Sequence, residues 1–305
     1  MQIVYAKSVQ GQSHKKREAK PENIEAGRLF PCEDRSFAGK DLTAADGTKF
    51  SFLCVCDGHG GAPYFRSGRG AELAIEVLKD ILIRNMANIR PMFLEGKLDK
   101  IRASLAKSII TRWKACIDEE LKANPVTEEE LAFLEMEDSA AAETYRKGED
   151  LYSIFGCTMV AYFSADNFWY ALQIGDGAFA ASYDGKKFFM PVPEDPNCFL
   201  NQTTSMCDSD AEKEFRHAFG LGYLPLSVFC MSDGVENSFG SPEATCEKFC
   251  SAVAVLPASP ELNPPGSSDA VRLELFEKEI DDFLPILSTK GSGDDVSVAM
   301  IVPMN

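Results

Sequence analysis

The sequence predicts an α+β fold built in layers, and three observations predict it. Short runs of aromatic, β-branched and thiol residues recur along the chain, as expected of strands. They fall into groups separated by two pairs of longer segments with apolar residues at helical spacing. No repeat or shift in composition marks a boundary, so the 305 residues, 1–305, are read as a single domain.

Taken in order, residues 2–6 suit an edge strand and the polar, basic stretch 11–25 suits a loop. Glu33 and Asp34 stand just ahead of a short strand beginning near Arg35. Residues 49–56 form a short, mostly apolar run, the pattern of a strand buried on both faces. That run stops abruptly at Asp57-Gly58-His59-Gly60-Gly61. A carboxylate at the mouth of a buried strand costs free energy unless a cation compensates it. The glycines let backbone approach such an ion closely, so Asp57 and the Gly58 carbonyl read as the start of a hard-cation site. Asp-Gly is also a hairpin signal, and for this stretch alone both readings stand.

From Gly70 onward, Leu73, Val77, Leu78, Ile81 and Leu82 give a helical stripe. Residues 98–121 give another through Ile101, Leu105, Ile109, Trp113 and Ile117. Both are assigned to the core. Thr127 to Glu130 has the capping-box pattern and opens an acidic helical insert around 122–150, read as a solvated face. Strands are expected at 156–163, 168–174 and 178–183. Asp176 sits in a Gly-Asp-Gly turn with a structural role, and Asp184-Gly185 turns into 188–190. Residues 191–226 lack periodicity and suit a flap-like loop. The strand 226–232 ends in Asp233-Gly234. Helices around 247–255 and 269–287 follow, and Asp294-Asp295 precede a last strand at 296–302.

A formal charge of −16 argues against nucleic acid and anionic membrane as partners. No window approaches about 18 apolar residues and no signal peptide is apparent, so the expected location is the cytoplasm. Several of the ten cysteines lie inside apolar runs, which suits free thiols in a reducing compartment. Zinc is not expected, because there is no paired C-x-x-C and only three histidines. No cysteine has an arginine six positions later, and no Walker-type loop is present.

Four separate segments thus place carboxylates at strand ends: Glu33-Asp34, Asp57, Asp233 and Asp294-Asp295. Gathered in one cleft they would repel one another, so their convergence would imply cations, and oxygen-only ligands favour magnesium or manganese. Spacing alone leaves four independent turns as the alternative.

In their order along the chain, Cys32-Glu33-Asp34, Val55-Cys56-Asp57-Gly58-His59-Gly60-Gly61, Gly156-Cys157-Thr158, Ile174-Gly175-Asp176-Gly177, Met231-Ser232-Asp233-Gly234 and Gly293-Asp294-Asp295-Val296 resemble the motifs of metal-dependent Ser/Thr protein phosphatases of the PPM (protein phosphatase 2C) type. Asn201-Gln202-Thr203-Thr204 is also similar to bacterial members. The resemblance implies a four-layer α-β-β-α sandwich of two antiparallel sheets flanked by helices, with a dinuclear Mn²⁺ or Mg²⁺ centre at one end. It implies Asp57, the Gly58 carbonyl, Asp233 and Asp294 as metal ligands, with Asp57 bridging and Asp295 as the alternative to Asp294. Glu33 and Asp34 would hold metal-bound waters. The implied reaction is hydrolysis of phosphoserine or phosphothreonine in proteins by a hydroxide bridging the two ions, with His59 protonating the leaving oxygen. A turn histidine bonded to backbone is the other reading of His59.

Three positions depart from the family's pattern. Leu29 stands where an arginine often grips phosphate, leaving Arg28 or Arg35 as candidates. Ser153, Ile154 and Phe155 offer no acid for a third metal, for which Asp150 is a distant candidate. The last motif has Asp295 where asparagine is usual. The missing arginine motivates a second reading, a weak or inactive phosphatase-like module that binds phosphoproteins or regulates a partner. An acidic interaction protein without metal is a third.

Overall fold

The computed structural model describes residues 1–25, 27–198 and 203–304; Asn201 and Gln202 of the Asn-Gln-Thr-Thr segment lie outside the described residues. Among the described residues nine strands run in chain order: β1 (Gln2–Val9), β2 (Arg35–Thr43), β3 (Lys49–Cys56), β4 (Met159–Ala165), β5 (Phe168–Ile174), β6 (Ala178–Ser182), β7 (Arg216–Leu221), β8 (Ser227–Met231) and β9 (Val296–Pro303). They form two sheets, ordered β2-β3-β4-β5-β7 and β1-β9-β8-β6, with antiparallel pairing throughout. The tightest connection is the two-residue Asp166-Asn167 turn between β4 and β5. Asp166 adopts φ 50°, the left-handed conformation such turns require.

The alternation along β3 shows why its sequence is apolar throughout. Leu53 and Val55 face the other sheet and pack with Val160, Tyr162, Phe179 and Cys230. Phe52, Cys54 and Cys56 face outward onto α3 (Ser67–Leu94) and α4 (Leu98–Ala123). The second sheet carries its own helical layer. Phe229, Met231, Val298 and Met300 pack there against Phe276, Ile280 and Leu284 of a long C-terminal helix (Asp269–Lys290). Two helical layers thus enclose two antiparallel sheets, the predicted α-β-β-α order.

Several local expectations change. Residues 11–25 are not a loop: they form α1 (Gln12–Glu18) and α2 (Pro21–Glu25). Only His14 of α1 is buried, so no apolar period betrays this helix. Tertiary partners satisfy its first N–H groups instead. The Gln12 amide donates to Ser288 Oγ at 3.1 Å and the Ser13 amide to the Gly293 carbonyl at 2.8 Å. The acidic insert is two helices, α5 (Glu128–Glu137) and α6 (Ser139–Arg146), and Thr127 with Glu130 completes the capping box. Within the expected flap, a short helix α7 (Ala211–Glu214) leads into β7. β7 is an edge strand paired only with β5, so one half-buried partner sets its weak pattern. The strand expected at 188–190 contracts to a single bridge, Ala181 to Phe189. α8 (Asp233–Phe239) begins at Asp233, and α9 (Pro242–Thr245) and α10 (Ser251–Val255) flank a π-helical turn at Cys246–Cys250. The long C-terminal helix is α11. No helix among the described residues is long and apolar enough to cross a membrane.

The α3–α4 layer depends on one close approach. A Cβ on Gly70 would lie 1.9 Å from the Phe155 carbonyl oxygen, and the Gly70 carbonyl accepts from Trp113 Nε1 at 2.9 Å. Gly70→Ala is therefore expected to destabilise the fold by about 2–3 kcal/mol through forced backbone displacement. Urea denaturation would read this as a lower midpoint at unchanged slope; an unaltered midpoint would disprove the packing account.

Candidate metal centre

Antiparallel pairing brings the strand ends together. β2 begins beside the end of β3, with Arg35 opposite Cys56, so Glu33-Asp34 and Asp57 emerge side by side. β8 ends next to the start of β9, which delivers Asp233 and Asp294-Asp295 to the same edge. The β5–β6 turn adds Asp176. Glu33, Asp34, Asp57, Gly58, His59, Asp233, Asp294 and Asp295 all line one cleft of about 630 Å³, together with Asp176 and His14. Asp176 thus borders the cleft as well as making its turn, whereas Asp150 does not reach it.

Backbone contacts fix the Asp57 turn. The Thr158 amide donates to the Asp57 carbonyl at 2.8 Å, and the Asp57 amide donates to Thr158 Oγ1 at 3.3 Å. A Cβ on Gly58 would meet the Glu33 carbonyl oxygen at 2.7 Å, so only glycine lets this loop pack against the Glu33-Asp34 segment.

The cleft concentrates negative charge. Asp34 is 1% exposed, and neither of its carboxylate oxygens has a hydrogen-bond partner; the same holds for Asp233 Oδ1 and Glu33 Oε2. Burial pushes the Asp57 carboxyl well above the carboxylate range, and the neighbouring Asp34 and Asp233 push it further. Asp34 is raised likewise by burial and by Asp295. Asp233 rises to about 6, through burial and then Asp176, while burial also raises Asp294. Burial drives Glu33 up to about 8 against the pull of His14 and Arg17. Among the described residues lining the cleft there is no lysine or arginine.

The acids share the cleft without closing into a cage. Among the described residues, no three His, Cys, Asp or Glu side chains form a group tight enough to hold a metal ion. The donors nonetheless fit a hard divalent cation: they are carboxylate oxygens, buried at Asp34 and half-buried at Asp57 and Asp233, partly orphaned and mutually repelling.

The two adjacent aspartates of the last motif behave differently. Asp295 Oδ1 accepts from the Gly11 amide at 2.6 Å and lies 3.1 Å from His14 Nδ1, while Oδ2 accepts from the Glu33 amide at 2.6 Å. Burial opposes its ionisation, but His14 and these amides outweigh burial and hold its carboxyl below the usual range. Asp294 Oδ1 accepts only the Asp295 amide, at 2.8 Å, and its other oxygen has no protein partner among the described residues. His14 is the residue that sequence reasoning missed. Its raised pKa comes first from the Asp295 hydrogen bond, against burial and with help from Glu33, whose Oε2 is 3.7 Å from Nε2. Its polar surroundings in the sequence gave no signal.

His59 is half-buried, and desolvation lowers its pKa to about 4. Its Nε2 shares a 2.7 Å hydrogen bond with Ser205 Oγ, and its ring meets Tyr64 edge-on with centroids 4.8 Å apart. Ser205 is a second unpredicted member of the site. Arg28 and Arg35 line a pocket beside the cleft and not the cleft itself.

The family model for protein phosphatase 2C matches residues 26–264, well over half of the chain. That stretch contains Glu33, Asp34, Asp57, His59 and Asp233, and ends before Asp294. A bacterial serine phosphatase aligns over 100% of this chain and 98% of its own with a TM-score of 0.53 and 11% identity. PppA of Pseudomonas aeruginosa, a regulatory component of T6SS, aligns over 99% and 97% with a TM-score of 0.51 and 16% identity. A serine/threonine phosphatase of S. agalactiae aligns over 99% of each chain with a TM-score of 0.50 and 12% identity. At such identities the likeness is one of fold. No curated protein matches the sequence.

The pKa directions give a signed prediction for protein stripped of divalent ions. His59, depressed to about 4 from 6.5, makes stability rise with pH only below pH 6.5. Glu33, raised to about 8, and His14, also raised, contribute stability that is lost as pH climbs through their folded values. Urea midpoints are therefore expected to fall from pH 6.5 to about 8.5, and Glu33→Gln should flatten the decline. A midpoint that rises over this range would refute the charge assignment.

Proposed function

The chain belongs to the protein phosphatase 2C family, and from that premise we propose that it hydrolyses phosphoserine and phosphothreonine esters in proteins with the help of Mn²⁺ or Mg²⁺. The observation that carries this reading is the gathering of carboxylates, several with orphaned oxygens, in a cleft lacking any lysine or arginine among its described residues.

Asp57, the Gly58 carbonyl, Asp233 and Asp294 are the groups that would hold the ions. Asp295 is committed to Gly11, His14 and Glu33, which favours Asp294 as the ligand. Glu33 and Asp34 would orient water beside them. Bound divalent ions neutralise charge on a phosphoryl group and acidify water, which supplies the nucleophile without a phosphoenzyme. His59 is the proton donor to the seryl or threonyl oxygen. Neutral in the free protein, it gains basicity when a dianionic phosphate ester lies beside it, because a nearby anion favours the imidazolium. Ser205, bonded to Nε2, holds the ring in place.

The arginine-free cleft supports a second reading, a module that binds phosphoproteins and turns them over weakly or not at all. Hydrolysis of p-nitrophenyl phosphate with and without manganese separates the two, and turnover dependent on the ion is the expected result.

Asp57→Asn and Asp233→Asn are each expected to reduce manganese-dependent hydrolysis at least about a hundredfold. Because each removes a charge from a self-repelling cluster, the ion-free variants should melt no lower than the parent while losing the rise in Tm that manganese produces. Full activity in either variant would overturn its assignment as a ligand. His59→Ala should slow an alkyl phosphate more than an aryl phosphate, since phenolate departs more readily unprotonated. Equal losses would remove the general-acid role.

A further inference from the structure

A second pocket, of about 800 Å³, opens beside the cleft and meets it at Gly60 and Gly61. One wall is the face of α5 bearing Phe133 and Met136, another is the segment from Arg28 to Cys32, and Arg66, which caps α3, and Arg69 in its first turn also contribute. Five arginines line it against three glutamates, in a chain whose formal charge is −16.

Three of the arginines are committed. Arg17 makes a two-pronged pair with Glu137, and Arg66 another with Glu130. Arg69 bridges Glu72 and Glu120 at 2.7 and 3.1 Å. Arg28 and Arg35 have no carboxylate partner among the described residues. Arg35 turns inward onto the Cys32 and Asp34 carbonyls at 2.7 and 2.8 Å. The Arg28 guanidinium lies 4.0 Å over the Phe133 ring, and its one hydrogen bond among the described residues is a long 3.4 Å contact with Asn23 Oδ1. A guanidinium stacked on an aromatic ring keeps its N–H edge free for an anion. Of the glutamates, Glu130 is paired with Arg66 and Glu33 belongs to the cleft, which leaves Glu129 alone to oppose Arg28. Beside that free edge, Leu29 and Met136 are 79% and 66% exposed.

We propose that this pocket binds the phosphoprotein substrate next to its phosphorylated residue, seating an apolar side chain against Phe133 and Met136 and an adjacent carboxylate on Arg28. The inference rests on the phosphatase reading and gives it a sequence preference. Charge complementarity selects an acidic segment, because the surface at large repels one and the Arg28 edge attracts it. Continuity with the cleft selects a peptide: an extended chain advances about 3.3 Å per residue, so residues a few positions from the phosphate reach the pocket.

The test uses the full chain in chelator and fluorescent serine peptides, unphosphorylated so that the cleft contributes little. Leu-Glu is placed on either side of the serine, and Ala-Gln replaces it in the controls. Fluorescence anisotropy is expected to give roughly tenfold tighter binding for Leu-Glu on one side, equivalent to about 1.4 kcal/mol. Arg28→Gln should abolish that preference and Met136→Ser should weaken it, with manganese-dependent p-nitrophenyl phosphate hydrolysis unchanged in both. Equal affinity for Leu-Glu and Ala-Gln, or a preference that survives both substitutions, would overturn the proposal. Failure of the parent protein to hydrolyse p-nitrophenyl phosphate would overturn the phosphatase reading instead, while the anisotropy still decides the pocket.

Discussion

Repulsion among carboxylates gathered at one end of a β-sandwich is the constraint on which the rest of this structure depends. Two like charges about 4 Å apart in a medium of effective dielectric near 20 repel by about 4 kcal/mol. Asp34, Asp57 and Asp233 each feel neighbouring carboxylates of this cluster, and loss of water around them is the larger cause that raises their pKa values. No folding advantage explains the arrangement. The scaffold must therefore be stable enough to carry it, and the two interleaved sheets with a helical layer on each outer face provide that stability.

Asp295 shows how the scaffold does so. It alone among the clustered acids is held ionised by donors from the protein itself: the Gly11 amide, the Glu33 amide and His14. Gly11 and His14 belong to one segment and Glu33 to another, and both lie far in sequence from Asp295. One carboxylate thus pins α1, the Glu33-Asp34 segment and the start of β9 to one another, whereas Asp233 and Asp294 each keep only one protein donor, Asn237 Nδ2 and the Asp295 amide, among the described residues. Asp294 and Asp295 differ although adjacent: Asp295 accepts the Gly11 and Glu33 amides, whereas Asp294 accepts only the amide of Asp295 among the described residues.

The acidic insert has a comparable double character. Its outer face is solvated, as a run of glutamates predicts, but the inner face of α5 closes an arginine-rich pocket against the cleft. Arg66 ties the insert down through Glu130, the same glutamate that completes the capping box of α5. The insert therefore shapes the approach to the cleft.

The sequence by itself determined the layered α+β class, the buried strand ending at Asp57, the two long core helices and the capping box at Thr127. Each depends on near neighbours in the chain: alternation along a strand, a stripe along a helix, a side chain reaching three residues on. It also picked out the carboxylates at strand ends, because an acid following an apolar run is conspicuous locally. Only the tertiary structure decided that these acids share one cleft, that α1 is a helix, that residues 216–221 are a strand, and that His14 and Ser205 belong to the site. α1 is polar and capped by Ser288 and Gly293, β7 is specified by pairing with β5, and His14 is defined by Asp295 at the other end of the chain. Interactions between residues hundreds of positions apart leave no periodic trace in either partner, and for that reason they were legible only once the chain had folded.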